Sequence, residues 1–201
     1  MSADNNNTAN EVFAFSAENA ELAKAELAKY PAGREASAVM PLLSLAQRQS
    51  GGWLSQGAMD TVATMTGLPA IRVYEVATFY TMYNLKPVGK NHVQVCTNIA
   101  CMLKGSDEIV KVCKKRLGLA FGETSSDGNF TLSEVECLGA CVNAPMMQIN
   151  DDFYEDLTSE TAEAVLQKLA NGETPKPGPQ SGRKGCEPAG GLTTLSEVKG
   201  G

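Results

Sequence analysis

The sequence predicts an α+β protein in which a small helical bundle is followed by an α/β domain and an extended C-terminal tail. Apolar residues recur at helical spacing in the first part, strand and helix patterns alternate in the second, and proline and glycine dominate the end. These shifts define four expected segments: an Asn-rich disordered start over 1–12, the bundle over 13–88, the α/β domain over 89–172 and the tail over 173–201.

Four short helices are expected in the bundle, and most have a start or stop signal. Ser16 and Ser55 are candidate N-caps, because a serine hydroxyl can accept the unpaired backbone amides of a first helical turn. The second helix has an apolar stripe that begins at Val39. Gly67 closes the third helix, and Pro69 suits the start of the fourth.

The second domain alternates strands with helices. Its patterns predict strands over 92–95 and 130–135, a helix over 106–117, a hairpin of 145–149 with 153–154, and a last helix from 158 or 159 to about 170. The order strand, helix, strand, strand, strand, helix is typical of a thioredoxin-like domain. The proline-rich tail is not expected to form a packed element, and is either disordered or extended across another subunit.

Four of the six cysteines form two short pairs, each following a predicted strand. Cys96 and Cys101 have four residues between them, and Cys137 and Cys141 have three. Zinc knuckles usually have about two intervening residues, whereas wider pairs suit a binuclear core in which each pair holds one iron. The spacing therefore favours a [2Fe–2S] cluster, and a zinc-stabilised four-cysteine interaction module is the alternative.

Small residues near the cysteines would let backbone amides turn toward sulfur and stabilise negative charge there. The residues interpreted as these cofactor-binding surroundings are Thr97, Asn98, Ala100, Leu138 and Gly139. Apolar neighbours would keep water off the centre, although plain core packing explains them equally well: Ile99, Met102, Leu138 and Val142. No catalytic residue is expected, because the chain has a single histidine and no glycine-rich nucleotide loop.

Other notable residues are interpreted as structural. Cys113 falls on the apolar face of a predicted helix and is expected to be a buried thiol, whereas Cys186 in the tail is expected to be a free thiol or a partner contact. A cis bond is expected before Pro145, next to the second cysteine pair. One aromatic group is interpreted as bundle core, with an interface as the alternative: Phe79, Tyr80 and Tyr83.

The bulk composition argues against several function classes. A formal charge of −6 without a dense basic cluster argues against nucleic acid or anionic lipid as the main partner. No run of eighteen apolar residues is present, so no membrane span is expected. The start of the sequence lacks the features of a secretory signal. Paired cysteines in such a chain favour reduced thiols over disulfides.

Three motifs resemble a known family: Cys96-Thr-Asn-Ile-Ala-Cys101, Cys137-Leu-Gly-Ala-Cys141-Val-Asn-Ala-Pro-Met-Met and Val73-Tyr-Glu-Val-Ala-Thr-Phe-Tyr80. They are similar to the thioredoxin-like [2Fe–2S] ferredoxin subunits of respiratory complex I, known in bacteria as the E subunits of NADH–quinone oxidoreductase. Related subunits occur in NAD-dependent formate dehydrogenases and hydrogenases. The resemblance covers roughly residues 13–170. The tail over 178–191 resembles the extension of alphaproteobacterial and mitochondrial forms, which favours a tail extended on a partner.

This resemblance implies a functional assignment. The four paired cysteines match the family's cluster ligands, and the partner would be the flavoprotein subunit that binds FMN and NADH. The chain would exchange single electrons with that flavin, while hydride chemistry stays with the partner. The resemblance thus implies a subunit of a translocating oxidoreductase, peripheral to the bacterial inner membrane on the cytoplasmic side, or on the matrix side in mitochondria.

Overall fold

The computed structural model describes residues 12–188, 190–191 and 193–194. The predicted disordered start therefore lies outside the described residues, apart from Val12. Contacts divide the chain after Val88 into an N-terminal and a C-terminal unit. In the described part of the chain, no helix is both long and apolar enough to cross a bilayer.

Within its described residues, the N-terminal unit contains four α-helices: α1 (Ala17–Leu27), α2 (Val39–Gln49), α3 (Gln56–Thr66) and α4 (Ala70–Phe79), with a 3₁₀ turn at Glu35–Ala38. The predicted caps are present, because the Ser16 and Ser55 hydroxyls accept backbone amides three residues ahead at 3.2 Å. Gly67 ends α3 with φ 68°, a conformation that favours glycine. The largest fully buried side chains of this unit are Leu42, Leu43, Leu54, Val62 and Val73.

The aromatic group at the end of α4 is only partly in this core. Tyr83 is buried, and its hydroxyl donates to the Met40 carbonyl at 3.0 Å. Phe79 is 77% exposed and Tyr80 40% exposed, with their rings in edge-to-face contact. The prediction of core packing was therefore wrong for these two residues. The buried face of α4 is instead occupied by Val73 and Ala77.

The C-terminal unit is built on a mixed sheet. Its strands in the described residues are β1 (Asn91–Cys96), β2 (Glu123–Thr124), β3 (Phe130–Val135), β4 (Met147–Ile149), β5 (Asp152–Glu155) and β6 (Gly178–Pro179). They lie in the order β2-β3-β1-β4-β5-β6, with β1 parallel to β3 and antiparallel to β4. Val93 and Val95 of β1 are fully buried, as expected for a central strand.

Among its described residues, this unit has three α-helices, α5 (Ile99–Leu103), α6 (Ser106–Leu117) and α7 (Ser159–Ala170), and a 3₁₀ turn at Cys141–Asn143. The helices α6 and α7 pack against each other, and their apolar faces share one core with β1 and β3. In α7, Thr158 is the N-cap and forms reciprocal hydrogen bonds with Thr161. The predicted elements of this unit are thus confirmed, and the α+β fold class with them.

Three elements of the C-terminal unit were not predicted, and one of them is the two-residue strand β2. The five-residue helix α5 follows Cys96 closely and carries Cys101, the second member of the first cysteine pair. Strand β6 lies in the tail and pairs in parallel with β5. The expectation that no packed element follows residue 173 was therefore wrong. The Ala144–Pro145 bond is cis, as predicted.

The approach of Gly89 to β3 provides a stability test. A β-carbon at Gly89 would lie 2.7 Å from the Phe130 carbonyl carbon and 3.0 Å from the Gly128 carbonyl oxygen. Both are backbone atoms, so neither can rotate away. We expect Gly89→Ala to lower the free energy of unfolding by roughly 1–3 kcal/mol, the usual effect of overpacking. Urea unfolding followed by circular dichroism measures this change.

The matched control for that substitution is Lys90→Ala, at the next residue, whose side chain is exposed. Surface substitutions of this kind usually change stability by less than about 0.5 kcal/mol. Equal stability of the Gly89→Ala and Lys90→Ala proteins would show that β3 can move away from residue 89 at no cost.

Candidate metal centre

The two cysteine pairs emerge at the same end of the sheet because β1 and β3 are parallel neighbours. Cys96 closes β1 and lies opposite Val135, the last residue of β3. Cys137 follows two residues later. Parallel strands end at the same edge, so the loops that carry the remaining cysteines start side by side. This explains how two cysteine pairs that are distant in sequence come together.

The first pair is buried. Cys96 and Cys101 are each 2% exposed and pack with Met146. Asn98 caps α5 by accepting the Ile99 amide on its side-chain oxygen at 2.9 Å. The short helix turns Cys101 back toward Cys96. Burial raises the pKa of the Cys101 thiol, and a hydrogen bond with Cys96 raises it further.

The second pair is exposed. The Cys137 and Cys141 sulfur atoms are 3.2 Å apart, and the Gly139 amide donates to the Cys137 sulfur at 3.4 Å. Gly139 has φ 84°, a conformation that orients this amide and that side chains with a β-carbon rarely adopt. The hydrogen bond from Cys141 lowers the pKa of Cys137, and the Gly139 amide contributes in the same direction.

Electrostatic interactions link the two pairs. Negative charge on Cys141 raises the pKa of Cys101, and charge on Cys96 raises the pKa of Cys141, after larger contributions from within each pair. Four thiolates in such proximity repel one another unless a cation offsets their charge. Iron provides that charge, and a coordinating thiol is deprotonated outright. The donor set therefore fits an all-cysteine metal centre with anionic ligands.

The four thiols come as two pairs, one buried and one exposed. Among the residues that the structure describes, no group of three or more His, Cys, Asp or Glu side chains is placed to hold one metal ion. Two pairs are the arrangement that a binuclear core uses, with one pair for each iron.

Two hydrogen bonds between side chains join the loop that follows β1 to the end of β3 and to the loop after it. The Thr97 hydroxyl donates to Glu134 at 2.7 Å, and the Asn98 amide donates to Glu136 at 2.5 Å. Glu134 and Glu136 were not among the predicted residues. Their roles depend on the parallel register of β1 and β3, which the sequence does not display. The first bond holds the loop after β1 against the end of β3, and the second joins the two cysteine loops.

The residues predicted to surround the cluster have different positions. Gly139 contacts a sulfur atom directly, whereas Thr97 and Asn98 tie the two loops together. Leu138 packs against the buried pair, and Ala100 is half-buried in α5. Their role around a cluster remains a prediction.

Several apolar residues around the cysteines are exposed. Ile99 is 68% exposed and Val142 66%, and Met102 is half-exposed. The interpretation of these three as core was therefore wrong, while Leu138 is packed as expected. Leu103, which was not predicted, is 77% exposed. We call these four exposed residues the apolar rim: Ile99, Met102, Leu103 and Val142.

The two cysteines outside the pairs have different surroundings. Cys113 is fully buried in the core of α6, where burial raises its pKa to about 12. Cys113 is thus the buried structural thiol that was predicted. Cys186 is exposed and has no disulfide partner among the described residues.

A mixed sheet with two packed helices and four paired thiols at one edge defines a thioredoxin-like protein with an all-cysteine centre. The model of the thioredoxin-like [2Fe-2S] ferredoxin family matches residues 23–170. The chain belongs to that family. The predicted family, fold class and [2Fe–2S] type of the cofactor are thereby confirmed.

Two curated relatives are similar over most of their length. The chain is 56% identical to the mitochondrial NADH dehydrogenase [ubiquinone] flavoprotein 2 of Dictyostelium discoideum, over 92% of this chain and 75% of that protein. It is 58% identical to the NADH-quinone oxidoreductase E subunit of Rickettsia bellii, over 79% of this chain and 95% of that one.

A solved structure supports the fold alone. An NAD⁺-reducing [NiFe]-hydrogenase in the air-oxidised state matches 65% of this chain with a TM-score of 0.56 and 18% identity. The matched part is 23% of that hydrogenase chain, so the likeness concerns a small portion of it.

Proposed function

We propose that this chain is the electron-transfer subunit of the NADH-oxidising module of an NADH–quinone oxidoreductase, complex I. Cys96, Cys101, Cys137 and Cys141 would hold its one [2Fe–2S] cluster. The observation that supports this most directly is the meeting of the two cysteine pairs at one end of parallel β1 and β3. When bound, such a cluster accepts and gives up one electron at a time.

The protein's own groups suit this role. The buried pair is shielded by Met146, while the exposed pair lies at the surface, where an electron can reach a partner. The Gly139 amide places partial positive charge on a sulfur atom. The side-chain hydrogen bonds of Thr97 and Asn98 fix the position of one cysteine pair relative to the other. With these groups the chain would act as an electron carrier within an enzyme complex.

The apolar rim supports docking on a partner. Three of its residues lie in α5 with Cys101, and Val142 directly follows Cys141. All four expose apolar side chains, and clustered exposed apolar residues often mark a binding surface. We infer that they contact the flavoprotein subunit that binds FMN and NADH. Hydride transfer would occur on that subunit. The chain would then belong to the peripheral arm, at the cytoplasmic face of a bacterial inner membrane or on the matrix side in mitochondria.

Spectroscopy of the purified full-length chain tests the cofactor. We expect a brown protein with about two irons per chain. Its visible absorption should bleach on dithionite, and a low-temperature electron paramagnetic resonance signal should appear on reduction. A colourless protein with one bound zinc would instead establish the four-cysteine interaction module. Copurification with a coexpressed flavoprotein subunit tests the complex, and its failure would contradict the proposed partner.

A further inference from the structure

The C-terminal tail is built into the same unit as the cysteines. Gly178 and Pro179 pair in parallel with Tyr154 and Glu155 of β5. The Gln180 amide then continues this pairing by donating to the Glu155 carbonyl at 2.9 Å. The tail thus extends the sheet by one edge strand and leads the following residues toward the turn that contains Cys141.

Arg183 is the main contact between the tail and that turn. Its guanidinium donates to both carboxylate oxygens of Asp156, at 2.6 and 2.5 Å. It also donates to the Val142 carbonyl at 3.0 Å, the Asn143 side-chain oxygen at 2.7 Å and the Glu187 carbonyl at 2.9 Å. The ion-paired side chains are only 14% and 15% exposed. This is a closed network rather than a solvated surface pair.

Asn143 completes the network from the other side. It is 3% exposed, and its amide nitrogen donates to the Gly185 carbonyl at 2.9 Å and to Glu155 at 2.5 Å. Its backbone carbonyl accepts the Asp156 amide at 2.7 Å. The residue lies two positions after Cys141, so the turn is held by β5 and by the tail together.

The charge of Asp156 is maintained in this network. Burial alone would raise the pKa of its carboxyl group. The hydrogen bonds from Arg183 and Ser181 and the positive charge of Arg183 outweigh burial, so the pKa lies below its ordinary value. Asp156 therefore stays ionised at neutral pH and keeps Arg183 in place.

We propose that Arg183 is a positioning residue for the cluster, through which the tail fixes the turn that carries Cys141. The inference rests on the proposed function, because it takes Cys141 as a ligand. Arg183 contacts the backbone one residue after Cys141 and the side chain two residues after it. It therefore acts on the exposed cysteine pair through the turn. The tail is then part of the metal centre, whether or not it also contacts a partner.

The test compares Arg183→Gln with the native full-length chain, both loaded with cluster. Excess chelator is added, and loss of visible absorption gives the rate of cluster release. We expect release about tenfold faster in the variant, the lower end of the effect of removing groups that orient metal ligands. The reduced protein should also show an altered paramagnetic resonance line shape. Unchanged rate and line shape would overturn the proposal.

Two further variants separate position from charge. Arg183→Lys keeps the positive charge. A lysine ammonium cannot reproduce the directed hydrogen bonds of the planar guanidinium, so we expect cluster release nearly as fast as in Arg183→Gln. Lys184→Gln removes one positive charge from the same exposed segment while keeping the backbone amide that donates to Glu187. It should release cluster at the native rate. A native rate in Arg183→Lys, or a fast rate in Lys184→Gln, would attribute the effect to net charge and overturn the proposal.

A substitution of Asp156, the ion-pair partner of Arg183, tests the network without changing residue 183 itself. Asp156 has φ 51°, which asparagine tolerates, so Asp156→Asn keeps the backbone while weakening the hold on Arg183. We expect faster cluster release here too, and a native rate would count against the network.

If the native chain itself holds no [2Fe–2S] cluster, the proposed function fails. If it holds one and the variants behave like it, only the role of Arg183 fails.

Discussion

Serine in place of Cys96 or Cys141 is expected to abolish or distort the [2Fe–2S] cluster. A hydroxyl is a poorer ligand for iron in such a cluster than a thiolate, because soft sulfur ligands are the ones selected there. Loss should be more complete for Cys96→Ser, because Cys96 is buried and a hydroxyl left without a partner there is also costly. Iron content, visible absorption and paramagnetic resonance of the purified variants measure the effect.

Cys113→Ser and Cys186→Ser are the matched controls. Cys113 belongs to the core between α6 and the sheet, and Cys186 is an exposed tail residue. Both variants should retain iron and the native spectrum, although Cys113→Ser should be less stable because it buries a hydroxyl. A native spectrum in Cys141→Ser, or an apo protein in Cys113→Ser, would show that the ligand set has been assigned wrongly.

The elements that the sequence predicts well are those with local signals. Helix α6 runs from Ser106 to Leu117, and β3 runs from Phe130 to Val135, both as predicted. Their apolar residues repeat at the period of the element, and turn residues bound them. The cysteine pairs were equally visible because each pair is local. Only the proximity of the two pairs to each other could not be predicted without knowing the fold.

The features that sequence reasoning missed depend on distant partners. Helix α5 has five residues, too few to show a helical period. Strand β6 exists through pairing with β5, more than twenty residues earlier in the chain. The ion pair of Arg183 with Asp156 spans 27 residues, and the bond of Asn98 to Glu136 spans 38. Pairings of this kind leave no periodic pattern in the sequence.

Apolar residue type alone also failed to predict side-chain exposure at the end of α4 and in the apolar rim. Phe79 is apolar and comes shortly after the apolar stripe of α4. However, α4 ends at Phe79, and this side chain is exposed. Three residues of the apolar rim lie in the short helix α5 and Val142 follows Cys141, and nothing covers these side chains within the described residues. In a subunit of a larger assembly, apolar side chains serve interfaces as well as cores, so hydrophobicity by itself does not assign burial.

Core truncations in the two units should have separate effects on the cluster. Leu132 is fully buried in β3, three residues before that strand ends near the cysteines, and Leu42 is fully buried in α2. We expect either leucine-to-alanine change to lower the free energy of unfolding of its own unit by roughly 2–5 kcal/mol, from lost burial and the cavity left behind. Urea unfolding followed by circular dichroism reports both units, while visible absorption reports the cluster.

The two probes should respond differently because each hydrophobic core is built from residues of one unit. The core that contains Leu42 draws on residues before Val88, and the core that contains Leu132 draws on residues after it. Leu132→Ala should therefore shift the transition seen by visible absorption to lower urea, whereas Leu42→Ala should shift only a transition seen by circular dichroism. Equal shifts of the absorption transition in both variants would mean that the cluster-bearing unit requires the helical unit for its stability. The cysteines would then depend on the whole chain, and the parallel strands β1 and β3 would not suffice to hold them.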